Sequence, residues 1–190
     1  MNETNLIKIH QDPPELEIVL DHLSKIAEEK ILRSPQAKPL VMAFYYVDNK
    51  IAVLPLLTDV PLVVWENSFL QTKLYHMAYS ALAEDGIRNL AIIFPTIRYT
   101  FNKNGNIPDH FLNKKTISIR DLSEWHQAYP DLVRQQPTLQ YFVDIDGQYH
   151  QAYADVRCGK FPTLSEYVIC DHAKNSVIFS MNKARNKVFS

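Results

Sequence analysis

Cysteine, histidine and closely spaced aspartate are the side chains in this sequence that could do more than pack. Cys170 and His172 stand two apart at the end of the apolar run Val168-Ile169-Cys170. On an extended strand both would leave from one face, and an imidazole beside a thiol favours a thiolate nucleophile. Cys158 follows Arg157 and precedes Gly159, and a neighbouring cation lowers a thiol pKa. With His150, these residues are what a small cysteine/histidine-dependent hydrolase or transferase would use. The same four suit zinc by type, but their spacing matches no standard ligand pattern. The plainer reading makes Cys170 a small buried hydrophobe and His172 a turn residue.

Asp144 and Asp146 form Asp-x-Asp after an apolar strand, a pattern whose carboxylates suit a divalent cation. Against that, Asp146-Gly147 is ordinary turn chemistry, with Asp144 then expected to face solvent. The stretch from Ile97 to Lys103 interleaves aromatic and basic residues, as single-strand nucleic-acid platforms do. Alternation sets Ile97, Tyr99 and Phe101 on one face and Arg98 and Thr100 on the other, so the aromatic face reads as core.

Aromatic residues are numerous: ten Tyr, nine Phe and two Trp. On residues 138–156, Tyr149 and Tyr153 share a face with Phe142, while Tyr141 and His150 lie on the other. Aromatics on both faces imply that one face is not buried within the domain, and tyrosine suits recognition surfaces. Tyr149, Tyr153 and Phe142 are therefore the expected partner-binding residues.

Several chemistries are disfavoured outright. Only four glycines occur, at 86, 105, 147 and 159, too dispersed for a phosphate-cradling loop or a dinucleotide fingerprint. Neither a nucleophile elbow nor a His-Glu-x-x-His helix is present, and two cysteines cannot build a disulfide scaffold. Twenty basic and 21 acidic side chains in 190 residues give a net charge of −1, which argues against a nucleic-acid coat.

These residues need elements to hold them. Asp12, Pro13 and Glu15 open a helix over 12–33, Asp12 and Glu15 forming a capping box. Leu40–Val47 and Ile51–Leu57 read as a hairpin in mid-sheet, covered on both faces. Pro61–Trp65 reads as a short strand. A helix from Ser68, with Gln71 as reciprocal cap, carries the stripe Leu70, Leu74, Met77, Ala78 and Ala81 and ends at Gly86. Asn89–Phe101 is a strand whose Pro95 demands an edge or bulge. Thr116–Ile119 reads as a short strand, and a helix opened by Asp121 and Glu124 ends at Pro130. The 138–156 hairpin turns at Asp146-Gly147. Tyr167–Asp171 and Ser176–Met181 complete the strands. The tail from Asn182 to Lys187 reads as solvated chain, or as a tether to an acidic partner.

The expected fold is α+β, a mostly antiparallel mixed sheet with about three helices packed against it. One domain spans 1–190, with a weak boundary near 102–115. The functional expectation is a non-enzymatic protein-interaction module (adaptor, chaperone-like subunit, inhibitor or immunity-type protein) using an aromatic-rich C-terminal sheet. The Cys/His enzyme is the alternative, and a small-ligand sensor the next. No cofactor, nucleic acid or membrane is expected to take part, homodimerisation stays open, and the absence of a signal-like start points to the cytoplasm.

Overall fold

Alternating apolar residues along three central strands leave both faces of a sheet to be covered, and helices cover both. The computed structural model describes residues 15–32, 38–47, 50–57, 59–102, 108–109, 117–160, 162–170 and 175–190. Helix α1 (Leu16–Ala27) runs on into a π-helical turn, Glu28–Leu32. Strands β1 (Leu40–Val47) and β2 (Lys50–Leu57) precede the short helix α2 (Leu62–Trp65) and helix α3 (Ser68–Ala83). Then come β3 (Asn89–Phe101), α4 (Ile119–Ala128), β4 (Val133–Ile145) and β5 (Gln148–Arg157). The short strands β6 (Thr163–Leu164) and β7 (Val168–Cys170) lead to the terminal helix α5 (Ser176–Phe189). The fold is α+β. Its strand order is β2-β1-β3-β4-β5-β6, β7 also pairs with β5, and each of these pairings is antiparallel.

Strand alternation divides the core in two. Met42, Phe44, Ala91, Ile93, Tyr141 and Val143 face α1, whose Val19, Leu20, Leu23 and Ala27 cover them. Val41, Ala43, Leu90, Ile92 and Phe142 face the other way, under α3 and α5. A third cluster, Trp125, Leu132 and Val133, fixes α4 to the distal part of β3 and β4, with Tyr99 and Leu122 against it.

Several elements differ from the sequence expectation, each for a local reason. Glu15 is the N-cap of α1 and makes no side-chain cap bond; Asp12 and Pro13 lie outside the described residues. The first hairpin is not in mid-sheet. β1 is interior, but β2 is an edge strand, and Pro55 within it is the residue that marks an edge. Pro95 is accommodated similarly: beyond Ile93, β3 pairs with β4 alone among the described residues. Residues 62–65 are helical, not extended, with Pro61 at the N-cap. Asn67 rather than Ser68 caps α3, accepting from the Phe69 and Leu70 amides, and Gln71 instead donates to the Trp65 carbonyl at 2.6 Å. Ile119 begins α4 rather than ending a strand, because Ser118 and Asp121 form its capping box. The boundary considered near 102–115 falls largely outside the described residues.

The largest difference is α5. Val177-Ile178-Phe179 suits a strand or a buried helix equally. The pattern beyond it decides: Val177, Ile178, Met181 and Ala184 are buried at helical spacing. Asn175 caps the helix by accepting from the Val177 amide at 2.8 Å. The segment 182–187 is therefore the second half of a docked helix, not a solvated tail. Replacing the cap, Asn175→Ala, should lower unfolding free energy by about 1 kcal/mol in urea denaturation; no change would mean the cap does not hold α5 in place.

Candidate functional site

Two features of α5 matter, one on each of its sides. On the inner side Arg185 reaches the β4–β5 turn. Asp144 is fully buried, and all its oxygens are engaged. Its Oδ1 accepts from the Gly147 amide at 2.7 Å, and its Oδ2 accepts from the Tyr79 hydroxyl at 2.5 Å. Arg185 Nε lies 3.1 Å from Oδ2. That contact is within ion-pair range but too bent to count as a hydrogen bond, so charge carries it. Arg185 Nη2 also donates to Asp146 Oδ1 at 2.9 Å. The turn that supplies both carboxylates has φ of 46° at Asp146 and 90° at Gly147, as the type I′ turn expected from Asp-Gly requires. The positive φ is what favours glycine at 147; a β-carbon there would also sit 3.1 Å from Arg185 Nη1, so the guanidinium would have to give by a few tenths of an ångström. Phe189 closes the assembly, with the guanidinium of Arg185 over its ring at 5.2 Å and Tyr79 edge-on at 6.0 Å.

Burial pushes the Asp144 carboxyl up to about 6, opposed by the two hydrogen bonds and by the Arg185 charge. Burial and the Asp144 charge push the Tyr79 hydroxyl well above its usual range, which keeps it a donor. Asp144 is thus not solvent-facing, and the pair with Asp146 is occupied by a cation of the protein itself. The arrangement is a clamp between helix and turn.

The outer side of α5 and the neighbouring side of α3 form a surface. Ser180 Oγ donates to the Ser68 carbonyl at 3.4 Å, and Phe189 meets Tyr79. Both contacts advance in the same sense, so the helices lie side by side and parallel. Between them runs a groove of about 360 Å³ lined by Phe69, Lys73, His76 and Met77 from α3 and Lys183 and Lys187 from α5. Phe179 is exposed on α5 one turn before Lys183, beside the groove rather than in its lining. Phe69, Met77 and Phe179 are exposed by 62%, 68% and 68%. The α3 stripe expected to be buried, which included Met77, is thus partly turned outward. Of that stripe Ala78 is buried, and Gln71, Tyr75, Tyr79 and Leu82 join it against the sheet.

The sequence-derived candidates are dispersed. Cys170 pairs with Gln151 across β7 and β5 and shares its face of the sheet. His150, one residue along, points to the opposite face. Cys158 lies beyond the end of β5, roughly 20 Å along the strand from that pairing at ~3.3 Å per residue. It is exposed, whereas Cys170 is half-buried. His172 lies outside the described residues. Among those described, no three His, Cys, Asp or Glu side chains are placed to hold a metal ion, and no helix is long and apolar enough to cross a membrane.

The aromatic hairpin has the facing expected of it: Phe142, Tyr149 and Tyr153 on one side, Tyr141 and His150 on the other. Both sides are covered, however. Phe142 is only 1% exposed, and Tyr149 packs into the core beneath α3 and α5. Tyr153 is half-buried with Arg98 over its ring at 4.7 Å. Arg98 is in turn ion-paired to Asp155. On the α1 side an open cleft of about 650 Å³ lies between Asp21, Lys25 and Glu28 of α1 and the Leu164–Tyr167 segment. Comparison with models of protein families, with curated proteins and with solved structures finds no match.

The clamp makes a signed prediction. Asp144 titrates near 6 when folded, against 3.8 ordinarily, so the native state holds the extra proton between those values. The contribution of Asp144 to stability should therefore fall as pH rises through that window and level off above it. Arg185→Leu removes a charge that holds the carboxyl down, so in this variant the fall should continue above pH 6. The variant should lose about 3 kcal/mol at pH 8, with a smaller deficit at pH 5, in urea titrations. An equal deficit at both pH values would show that Asp144 is not the group responsible.

Proposed function

We propose that this chain is a non-enzymatic protein-interaction module whose partner-binding surface is the outer face of α3 and α5. The observation that carries this reading is the exposure of Phe69, Met77 and Phe179 together on two neighbouring helices, beside a groove. Single exposed apolar side chains are common on protein surfaces, whereas several large ones on adjoining elements mark a binding site. Aromatic anchors next to a concavity are also the usual form of an interaction hot spot. The reading moves the interface from the Tyr149/Tyr153/Phe142 hairpin to the helices that cover it. The dispersal of Cys158, Cys170 and His150 gives no support to a thiol enzyme, since a nucleophile and its base must lie within hydrogen-bond reach.

The three exposed residues make few core contacts, so their removal should separate binding from folding. Phe69→Ser, Met77→Ser and Phe179→Ser combined should leave the thermal midpoint within a few degrees of wild type. The same variant should lose the partner that the wild-type chain captures from its own cells. A Cys158→Ser/Cys170→Ser variant should capture that partner normally. Retention of the partner by the triple variant would refute the assignment.

A further inference from the structure

Charge on the same two helices narrows the class of partner. Neither α3 nor α5 contains an aspartate or glutamate, while together they carry Lys73, Lys183, Arg185 and Lys187. Arg185 is spent on the clamp, its side chain only 13% exposed. The three lysines remain exposed, and all three line the groove. They stand on opposite walls, Lys73 on α3 and Lys183 and Lys187 on α5. Lys73 Nζ is held over the Phe69 ring at 4.5 Å, a cation resting directly on an apolar anchor. In a chain whose net charge is −1, this is a local concentration of positive charge, not a general basicity.

We infer that the groove takes an acidic amphipathic helix from another protein, an inference that rests on the α3–α5 face being the interface. Length fits: Phe69 to Met77 and Phe179 to Lys187 each span eight residues, about 12 Å of helix, or some two turns. Because Ser180 meets Ser68, Phe179 stands level with Phe69, so a helix along the groove would set one apolar residue on Phe69 and Phe179 and another two turns on, at i+7, on Met77. Carboxylates on both its flanks would meet the lysines on both walls. Opposed charge would give register and a fast encounter, while the apolar anchors supply affinity.

Two other occupants fit less well. An isologous pairing of two copies would set lysine against lysine across the symmetry axis. A bilayer surface is best met by an amphipathic face that is flat or convex, with cations beside an apolar ridge, whereas here the cations rim a concavity.

Selection from a displayed library of helical peptides about four turns long, on the immobilised full chain, tests this directly. The enriched peptides should carry Glu or Asp on the flanks of an apolar stripe. Lys73→Glu/Lys183→Glu/Lys187→Glu should weaken a selected peptide by about ten-fold or more. Raising salt to about 0.5 M should weaken it on the wild-type chain as well. Neutral or basic peptides indifferent to the lysine reversal would overturn the acidic class. If those peptides still needed Phe69, Met77 and Phe179, the interface itself would stand. Peptides indifferent to both sets of substitutions would overturn both readings. Retention of the protein on phosphatidylglycerol-containing vesicles, with no peptide enriched at this face, would replace the helix with a membrane.

Discussion

One guanidinium determines where the last helix of this chain lies. Arg185 places its charge against a fully buried carboxylate and its Nη2 on a second, both on the β4–β5 turn. Taking such a pair out of water costs nearly as much as the pair returns, so its net contribution to stability is modest. Its value here is positional. The apolar residues of α5 could pack on the sheet at several angles, because hydrophobic contact has little directional preference. In the observed placement Arg185 reaches Asp144 while the Tyr79 hydroxyl and the Gly147 amide donate to its two oxygens. That placement sets α5 beside α3 and so creates the groove between them.

The choice of face on α3 follows from the same interaction. This helix is apolar over much of its circumference, and two stripes competed for the core. One held Leu70, Leu74 and Met77, the other Tyr75, Ala78, Tyr79 and Leu82. The second is buried. Tyr79 in that stripe supplies the donor that a buried carboxylate requires, and no leucine could. Gln71 inside the same stripe ties α2 to α3 through the Trp65 carbonyl. Turning the tyrosines inward leaves Met77 outward and Phe69 at the groove, so the exposed apolar surface is the complement of a polar requirement in the core.

A comparable polar knot holds the other end of the sheet. Arg98 pairs with Asp155, whose Oδ1 also accepts from Thr138 Oγ1 at 3.0 Å. Ser165 Oγ accepts from the Asp155 amide at 2.9 Å. Four chain segments, β3, β4, β5 and the residues after β6, therefore meet at one residue, the first two at its carboxylate and the last at its backbone amide. Arg98 follows the alternation expected of its strand, set apart from Tyr99 and Phe101. Its side chain lies on the opposite face from theirs and packs over Tyr153, which is the alternation that strand geometry imposes.

Local signals in the sequence determined much of this protein. Asp146-Gly147 specifies its turn because only such residues adopt positive φ cheaply, and alternation correctly assigned the faces of Phe142, Tyr149 and Tyr153. The existence of the first helix and the antiparallel α+β class were legible for the same reason: each depends on residues close in the chain. The site was not legible. Asp144 and Arg185 are 41 positions apart, so one could be read as a solvent-facing turn residue and the other as part of a loose tail. The absence of acidic residues from 68–83 and 176–190 was a visible signal, but it acquired meaning only when the two helices proved to be neighbours. Tertiary structure decided which stripe of α3 is buried and where α5 docks, because a buried charge needs its partners gathered from several segments, and no local pattern records that requirement.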